Sequence, residues 1–287
     1  MMRCTKILAA FAAAAVMTAA ASAAAYAETM YTAYGFTYSI SENKLISVRG
    51  CSAAMTDPVI PDKIGSYYVD SIGASAFMNR SDLRSVSFEN ATHLTTVKSG
   101  AFYGCSSLQS VSLPSHITGM GFGAFQNCTS LQHADFAGLN EIPEQAFYGC
   151  SLLDNVTIPD TVTAINNFAF ARCTSLKKIV IPSGVTSIAA NAFQNDSQLT
   201  VWCSYPSCAY DYAVSQNINY EIIDGFADGD VDKNGILDIL DATMVQRILA
   251  EYIHPDSYTQ KLADFNGDGE VTISDVTDIQ KRLAMII

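Results

Sequence analysis

The 287-residue chain carries 16 Lys+Arg against 28 Asp+Glu, a formal net charge of −12, and is 49% hydrophobic but only 15% charged. That apolar fraction supports a buried core and excludes wholesale disorder, while the acidic balance excludes a phosphate-binding, nucleic-acid role. The length fits one large domain or two small ones.

The chain opens on Arg3 and Lys6, runs through apolar or small residues from Ile7 to Ala21, and reaches an A-x-A site at Ala25-Tyr26-Ala27. This three-part build predicts a secretory signal peptide over residues 1–27. Its apolar run of 15 residues is shorter than the roughly 20 that span a bilayer. Cys4 lacks the Leu/Ser/Gly box that precedes a lipoprotein cysteine. Without the leader, 14 basic residues face 28 acidic ones, a net charge of −14. The expectation is a secreted, extracellular protein with no membrane span.

Ala-Phe then recurs at 76–77, 101–102, 124–125, 146–147, 169–170 and 192–193, in steps of 25, 23, 22, 23 and 23 residues. Cys stands three residues after Phe in four copies (Cys105, Cys128, Cys150, Cys173), and the terminal copies carry Arg80 and Asp196 instead. Atypical terminal units are what a stack of repeats needs at its ends. An L-x-x-V-x-L pattern follows each anchor: Leu108, Val111, Leu113; Leu153, Val156, Ile158; Leu176, Ile179, Ile181. Leu83, Val86, Phe88 and Leu131, Ala134, Phe136 are weaker versions, and Leu199 with Val201 is a shifted last one. Alternation through these positions predicts short strands with one face inward, and Pro114, Pro159 and Pro182 stop them. Val162 with Ile165, and Val185 with Ile188, return the chain.

These elements resemble the BspA-type leucine-rich repeats of secreted bacterial proteins, with their A-F-x-x-C and I-P-x-x-V-x-x-I signatures. The entry Val59-Ile60-Pro61 through Ile72-Gly73 matches that family's usual start, and the resemblance runs from about Phe36 to Leu199. Pro is missing after Phe88 and Phe136, which predicts a less regular sheet there. Equivalent columns of a stack point the same way, so the four cysteines read as a buried ladder of small side chains, not as disulfides. For Cys203 and Cys208, at the end of the array, a bridge and two separate thiols both fit; Cys51 has no evident partner.

Beyond Tyr220 the composition changes: residues 226–287 hold 12 acidic and 5 basic residues. Two twelve-residue segments align. Asp230, Asp232, Asn234, Asp238 and Asp241 occupy positions 1, 3, 5, 9 and 12 of the first, with Gly235 at 6. Asp264, Asn266, Asp268, Thr272 and Asp275 occupy the same positions of the second, with Gly269 at 6. Hard oxygen ligands at that spacing, with Gly at the bend, are what a calcium loop requires; Ile236 and Glu270 at position 7 would give only backbone carbonyls. Two Ca2+ ions are expected.

Position 12 is Asp instead of Glu, no full EF-hand-type helix precedes either loop, and an amphipathic helix follows each. This duplicated loop–helix build resembles the type I dockerin. The resemblance implies a cohesin domain of a scaffoldin as partner, within an assembly that degrades plant polysaccharide. It places the partner contacts at Ile239, Leu240, Gln246 and Arg247 in one half and at Ile273, Ser274, Gln280 and Lys281 in the other. Recurrence of Ile, Gln and a basic residue fits docking in two orientations related by a half-turn, while Leu240 against Ser274 breaks that symmetry and fits a single one. Read from the residues alone, Ile239 and Ile273 also fit a core, and Arg247 and Lys281 a solvated face.

The resulting fold class is two-domain. A leucine-rich-repeat solenoid of short parallel strands with irregular or short helical returns covers 28–222, its repeats at about 60–200, and a small all-α calcium-binding dockerin covers 223–287. With about 60 residues and little core, the second domain should depend on calcium to fold.

No nucleophile or metalloprotease signature involves His93, His116, His133 or His254. The outward strand positions (Ser85, Ser87, Ser110, Ser112, His133, Asp135, Asn155, Thr157, Lys178, Val180) form a polar face without aromatic platforms. It reads as a solvated sheet or as a surface for a further protein or glycan. The overall reading is a non-catalytic interaction protein, reaching the cell surface only through the scaffoldin. The rival readings are a carbohydrate-active enzyme, for which His133 with Asp135 is the one suggestive pair, and an adhesin.

Overall fold

The computed structural model describes residues 29–223, 228–233 and 236–284. The predicted leader, residues 1–27, lies outside them, as do Asn234 and Gly235. The chain divides into two compact units, one ending at Glu221 and one beginning at Ile222.

The first unit begins with strands β1 (Met30–Ala33), β2 (Phe36–Ile40) and β3 (Ile46–Cys51), paired antiparallel. This corrects the expectation of repeat structure from Phe36. Tyr34 (φ 53°) and Gly35 (φ 81°) both sit left-handed in the two-residue turn that joins β1 to β2, the geometry that suits a tight hairpin. The chain then winds. After β4 (Lys63–Ile64) and β5 (Tyr67–Ile72) come β6 (Thr96–Val97), β7 (Ser110–Leu113), β8 (Gly119–Met120) and β9 (His133–Phe136). Next are β10 (Glu141–Ile142), β11 (Asn155–Thr157), β12 (Ala164–Ile165), β13 (Lys178–Ile181), β14 (Ser187–Ile188) and β15 (Thr200–Cys203). A helix, α1 (Cys208–Gln216), and a strand, β16 (Asn219–Ile222), close the array.

Strands β7, β9, β11, β13 and β15 form a parallel sheet in register, with His133 opposite both Ser110 and Asn155. The returning strands make two further parallel stacks, β5-β6-β8 and β10-β12-β14. Each turn is thus an L-x-x-V-x-L strand, a Pro stop, a short irregular return and an Ala-Phe corner. The two Pro-less units differ: Val59 and Ser87 make only an isolated bridge, whereas His133–Phe136 is a full strand.

The corners hold the stack. Rings of Phe77, Phe102, Phe125, Phe147, Phe170 and Phe193 stack at centroid distances of 5.0, 5.1, 5.6, 5.3 and 5.4 Å, with planes within 7° of parallel. Burying each ring contributes roughly 1.5–3 kcal/mol. Backbone amides at the corners donate to the next turn, as Phe102 N does to Ala124 O and Phe125 N to Ala146 O. The residue two past each Phe is left-handed: Asn79, Gly104, Asn127, Gly149, Arg172 and Asn195. Gly and Asn pay least for that conformation, which explains why they hold five of the six places.

The cysteines form the expected ladder. Thiols of Cys105, Cys128, Cys150 and Cys173 donate to the carbonyls of Phe77, Phe102, Phe125 and Phe147 at 3.1, 3.1, 3.1 and 3.3 Å. Burial pushes the Cys150 thiol up to about 12, so it stays an inert thiol. Cys208 is a free thiol, so no Cys203–Cys208 bridge is made. At the first end of this column Arg80 donates to the carbonyls of Cys51 (3.1 Å) and Met55 (3.0 Å) and pairs with Asp82.

The second unit holds α2 (Ile239–Leu249), α3 (Ser257–Ala263) and α4 (Ile273–Ala284). Its core is Val231, Ala242, Val245, Tyr258, Leu262, Ala263, Val276 and Ile279. The short α3, capped by Asp256, leads straight into the second acidic loop. The sequence pattern missed it, and the Asp256 cap three residues before Thr259 was its signal.

Candidate functional site

Each acidic loop is organised around its last carboxylate. Asp241 is fully buried; its Oδ1 accepts from Val231 N (2.7 Å) and Asp232 N (3.1 Å), and its Oδ2 from Asp238 N (2.8 Å). Asp238 caps α2 by accepting from Leu240 N, and with Asp241 it makes a capping box. The second loop repeats the device. Asp275, also fully buried, accepts from Asn266 N (3.2 Å) through Oδ1 and from Thr272 N (2.7 Å) through Oδ2. Asp264 accepts from Asp268 N (3.1 Å) and Gly269 N (2.9 Å), and Gly269 takes φ 91° at the bend.

In the first loop the structure brings one carboxylate oxygen each from Asp230, Asp232 and Asp241 within 4.8 Å of one another, two of these residues buried. Buried carboxylates that close repel unless a cation lies between them, and an all-oxygen donor set suits calcium. Asp238 stands at position 9 of the same loop, whereas Asn234 falls outside the described residues. In the second loop Asp264, Asn266, Asp268, Thr272 and Asp275 are linked through loop amides, as in Asn266 Oδ1 accepting from Asp268 N at 2.9 Å. Position-7 residues Ile236 and Glu270 turn their side chains to solvent, consistent with a backbone role. These residues therefore fit the cation that their spacing implies.

All eight residues expected to face a partner are exposed: Ile239 (57%), Leu240 (56%), Ile273 (65%), and Ser274, Gln246, Arg247, Gln280 and Lys281. The reading of Ile239 and Ile273 as core is therefore corrected, since Ala242, Val245, Val276 and Ile279 fill that place. The halves match in detail: Thr243 Oγ1 donates to Ile239 O at 2.9 Å and Thr277 Oγ1 to Ile273 O at 3.0 Å. Lys281 pairs with Asp278 at 2.9 Å.

On the solenoid, outward strand positions alternate with buried ones as expected. His133 lies 3.9 Å from Asp154, and both are exposed. Trp202, the only Trp of the chain, lies under Lys178, whose Nζ is 3.3 Å from the ring centroid. Among the described residues no helix is long and apolar enough to cross a membrane.

The family described as "BspA type Leucine rich repeat region" matches residues 70–200 in six copies, and "Dockerin type I domain" matches residues 228–284. Type I dockerin domains bind calcium, and cohesins are their partners. No curated protein matches the chain. Among solved structures, a leucine-rich repeat protein from Eubacterium ventriosum is 25% identical, with a TM-score of 0.45, covering 60% of this chain and 52% of that one. A leucine rich cell surface protein from Faecalibacterium prausnitzii is 26% identical, with a TM-score of 0.43, covering 62% and 55%. A leucine-rich repeat protein from T. pallidum is 24% identical, with a TM-score of 0.40, covering 60% and 70%. The chain spans about half the length of the first two.

Proposed function

We propose that this chain, in which residues 70–200 are a BspA-type leucine-rich repeat region and residues 228–284 a type I dockerin domain, is a secreted, non-catalytic interaction protein. Its domains are a leader over 1–27, a solenoid over 28–222 and a docking module over 223–287. The module plugs the chain, calcium-dependently, onto a cohesin of a scaffoldin in a polysaccharide-degrading complex, and the solenoid serves as recognition or spacer domain. Both modules are of non-catalytic, interaction type. The observation that carries the reading is the doubled device in the second unit: a buried position-12 carboxylate beside an exposed Ile–Gln–basic face, made once by Asp241 and once by Asp275.

Two calcium ions follow from two loops, one held by Asp230, Asp232, Asn234, Asp238, Asp241 and the carbonyl of Ile236. The other is held by Asp264, Asn266, Asp268, Thr272, Asp275 and the carbonyl of Glu270. Each ion offsets the repulsion of its carboxylates and fixes the start of α2 or α4, so the face carrying Ile239, Leu240, Gln246 and Arg247, or Ile273, Ser274, Gln280 and Lys281, is set only when calcium is bound. The matching Thr243 and Thr277 bonds support docking in either of two half-turn-related orientations.

The test is calorimetry of the full chain with a panel of type I cohesins, with calcium and with EGTA, alongside far-ultraviolet circular dichroism and Trp202 fluorescence. Expected are one-to-one binding and two calcium ions per chain, with helix signal lost in EGTA while Trp202 emission is unchanged. Binding that persists in EGTA, or no binding to any cohesin, would overturn the reading.

A further inference from the structure

Between the last turn of the solenoid and the cap formed by α1 and β16 lies a cleft of about 660 Å³. That volume falls in the ~300–1,000 Å³ range of small-molecule sites. Seven of its fourteen wall residues are Asn or Gln. Five of these, Asn167, Gln194, Asn195, Asn217 and Asn219, are exposed, and their side-chain amides make no hydrogen bond among the described residues. No Lys, Arg or His lines the cleft. Its one acidic residue, Asp196, is only 8% exposed, with both carboxyl oxygens buried. Burial pushes that carboxyl up to about 8 and the Tyr212 phenol up to about 12, so the walls are uncharged at neutral pH.

Such walls select by chemistry. An anion finds no cation here, and the chain as a whole carries a net charge of −12. A cation finds no accessible carboxylate, since the oxygens of Asp196 are closed off. An apolar ligand would strip water from the amides and return no hydrogen bond. What fits is an uncharged molecule with donors and acceptors closely spaced around its rim. A primary amide offers two N–H donors and an acceptor oxygen, and a hydroxyl offers one donor and two lone pairs. Neighbouring sugar hydroxyls can therefore pair with one Asn or Gln in both senses. We propose that this cleft binds a neutral oligosaccharide through the side-chain amides of Gln194 and Asn195 in the last turn, Asn167 in the turn before it, and Asn217 and Asn219 in the cap.

The inference rests on the proposed place of the chain in a polysaccharide-degrading complex, and it gives the solenoid a ligand class there. A neutral peptide also carries donors and acceptors. An extended peptide, however, turns successive side chains to opposite sides and needs pockets to receive them. The larger apolar wall residues Phe193 and Leu199 are buried and offer none. Every wall residue belongs to the first unit, whereas the cohesin-facing residues lie on α2 and α4, so glycan and cohesin would engage different parts of the chain.

The experiment titrates cellohexaose, xylohexaose and mannohexaose into the full chain with calcium present throughout. Hexagalacturonate serves as the anionic counterpart and a Gly-Ser hexapeptide as the neutral peptide. Calorimetry reads the affinity, and NMR reads the Asn and Gln side-chain amides. Expected are binding of at least one neutral hexasaccharide at millimolar concentration or below, shifts of the cleft amides, and no binding of hexagalacturonate or peptide. Gln194→Ala and Asn219→Ala should each weaken the binding about three- to tenfold, through loss of one amide's hydrogen bonds. Gln132→Ala, at an exposed position of another turn, should leave it unchanged. No binding of any neutral hexasaccharide at millimolar concentration, equal binding of hexagalacturonate or of the peptide, or an affinity that both cleft variants leave unchanged each overturns the proposal. Should a variant not fold, the ligand comparison and the amide shifts on the natural chain decide it. Cohesin binding by the same sample is read separately. Cohesin bound without glycan overturns this inference alone, and glycan bound without cohesin supports the site while overturning the docking reading.

Discussion

Replacing Asp196 by Cys should stabilise the solenoid, and by an amount that grows with pH. The folded carboxyl titrates near 8 against an ordinary 3.8. Between those values the folded chain keeps a proton that the unfolded chain has released, so stability falls as pH rises. The slope is about 1.4 kcal/mol per pH unit, which makes roughly 2–3 kcal/mol between pH 5 and pH 7, with the loss ending above pH ~8 where both states are ionised. A buried thiol stays neutral throughout and can donate to the carbonyl below it, as Cys173 does to Phe147. The assay is urea unfolding of both chains at pH 5 and pH 7, read by the fluorescence of Trp202, the single Trp, in β15. With m near 2–3 kcal/mol/M, the gap between the two midpoints should widen by about 1 M from pH 5 to pH 7. Everything but residue 196 is common to both chains and cancels in the difference. Midpoints that move in parallel would refute the reasoning, because they would mean that Asp196 is solvated or paired in solution.

Phe147→Ala should cost about 3–5 kcal/mol, since the ring is fully buried and stacks on Phe125 and Phe170 while Phe136 packs at 5.5 Å. The same Trp202-detected urea titration checks it, and a loss under 1 kcal/mol would show that the ring column is not what holds the corners. Asp241→Ala removes the acceptor for three backbone amides, each worth about 1–3 kcal/mol when left buried and unpaired. Helix signal in the C-terminal unit should then fall even at saturating calcium, whereas retained helix by circular dichroism would assign Asp241 a ligand role alone.

The stack was legible because its order is one-dimensional: a residue that fits between two copies of itself recurs every 23 residues or so, and Phe and Cys mark those columns without reference to anything distant. The acidic loops were legible for a related reason, since the coordination of one ion prescribes oxygen at alternate positions. What escaped was whatever answers to a single neighbour. The β1–β2 hairpin turns on Tyr34-Gly35, a weaker signal than Asn-Gly, and pairs with no repeat. The left-handed column was half visible as alternating Asn and Gly, and Arg172 hid it. Pro after the strand proved a poor guide to sheet regularity: His133–Phe136 lies between β7 and β11 and is held from both sides, whereas Ser87 meets only Val59 in a bridge. The two ends of the cysteine column make the point most sharply. Arg80 and Asp196 read equally as terminal substitutions. Yet Arg80 finds the carbonyls of Cys51 and Met55 beyond the first turn, whereas the carboxyl oxygens of Asp196 meet no hydrogen-bond partner among the described residues. A repeat dictates its own interior, but the chemistry of its ends is set by the non-repeating chain that abuts them.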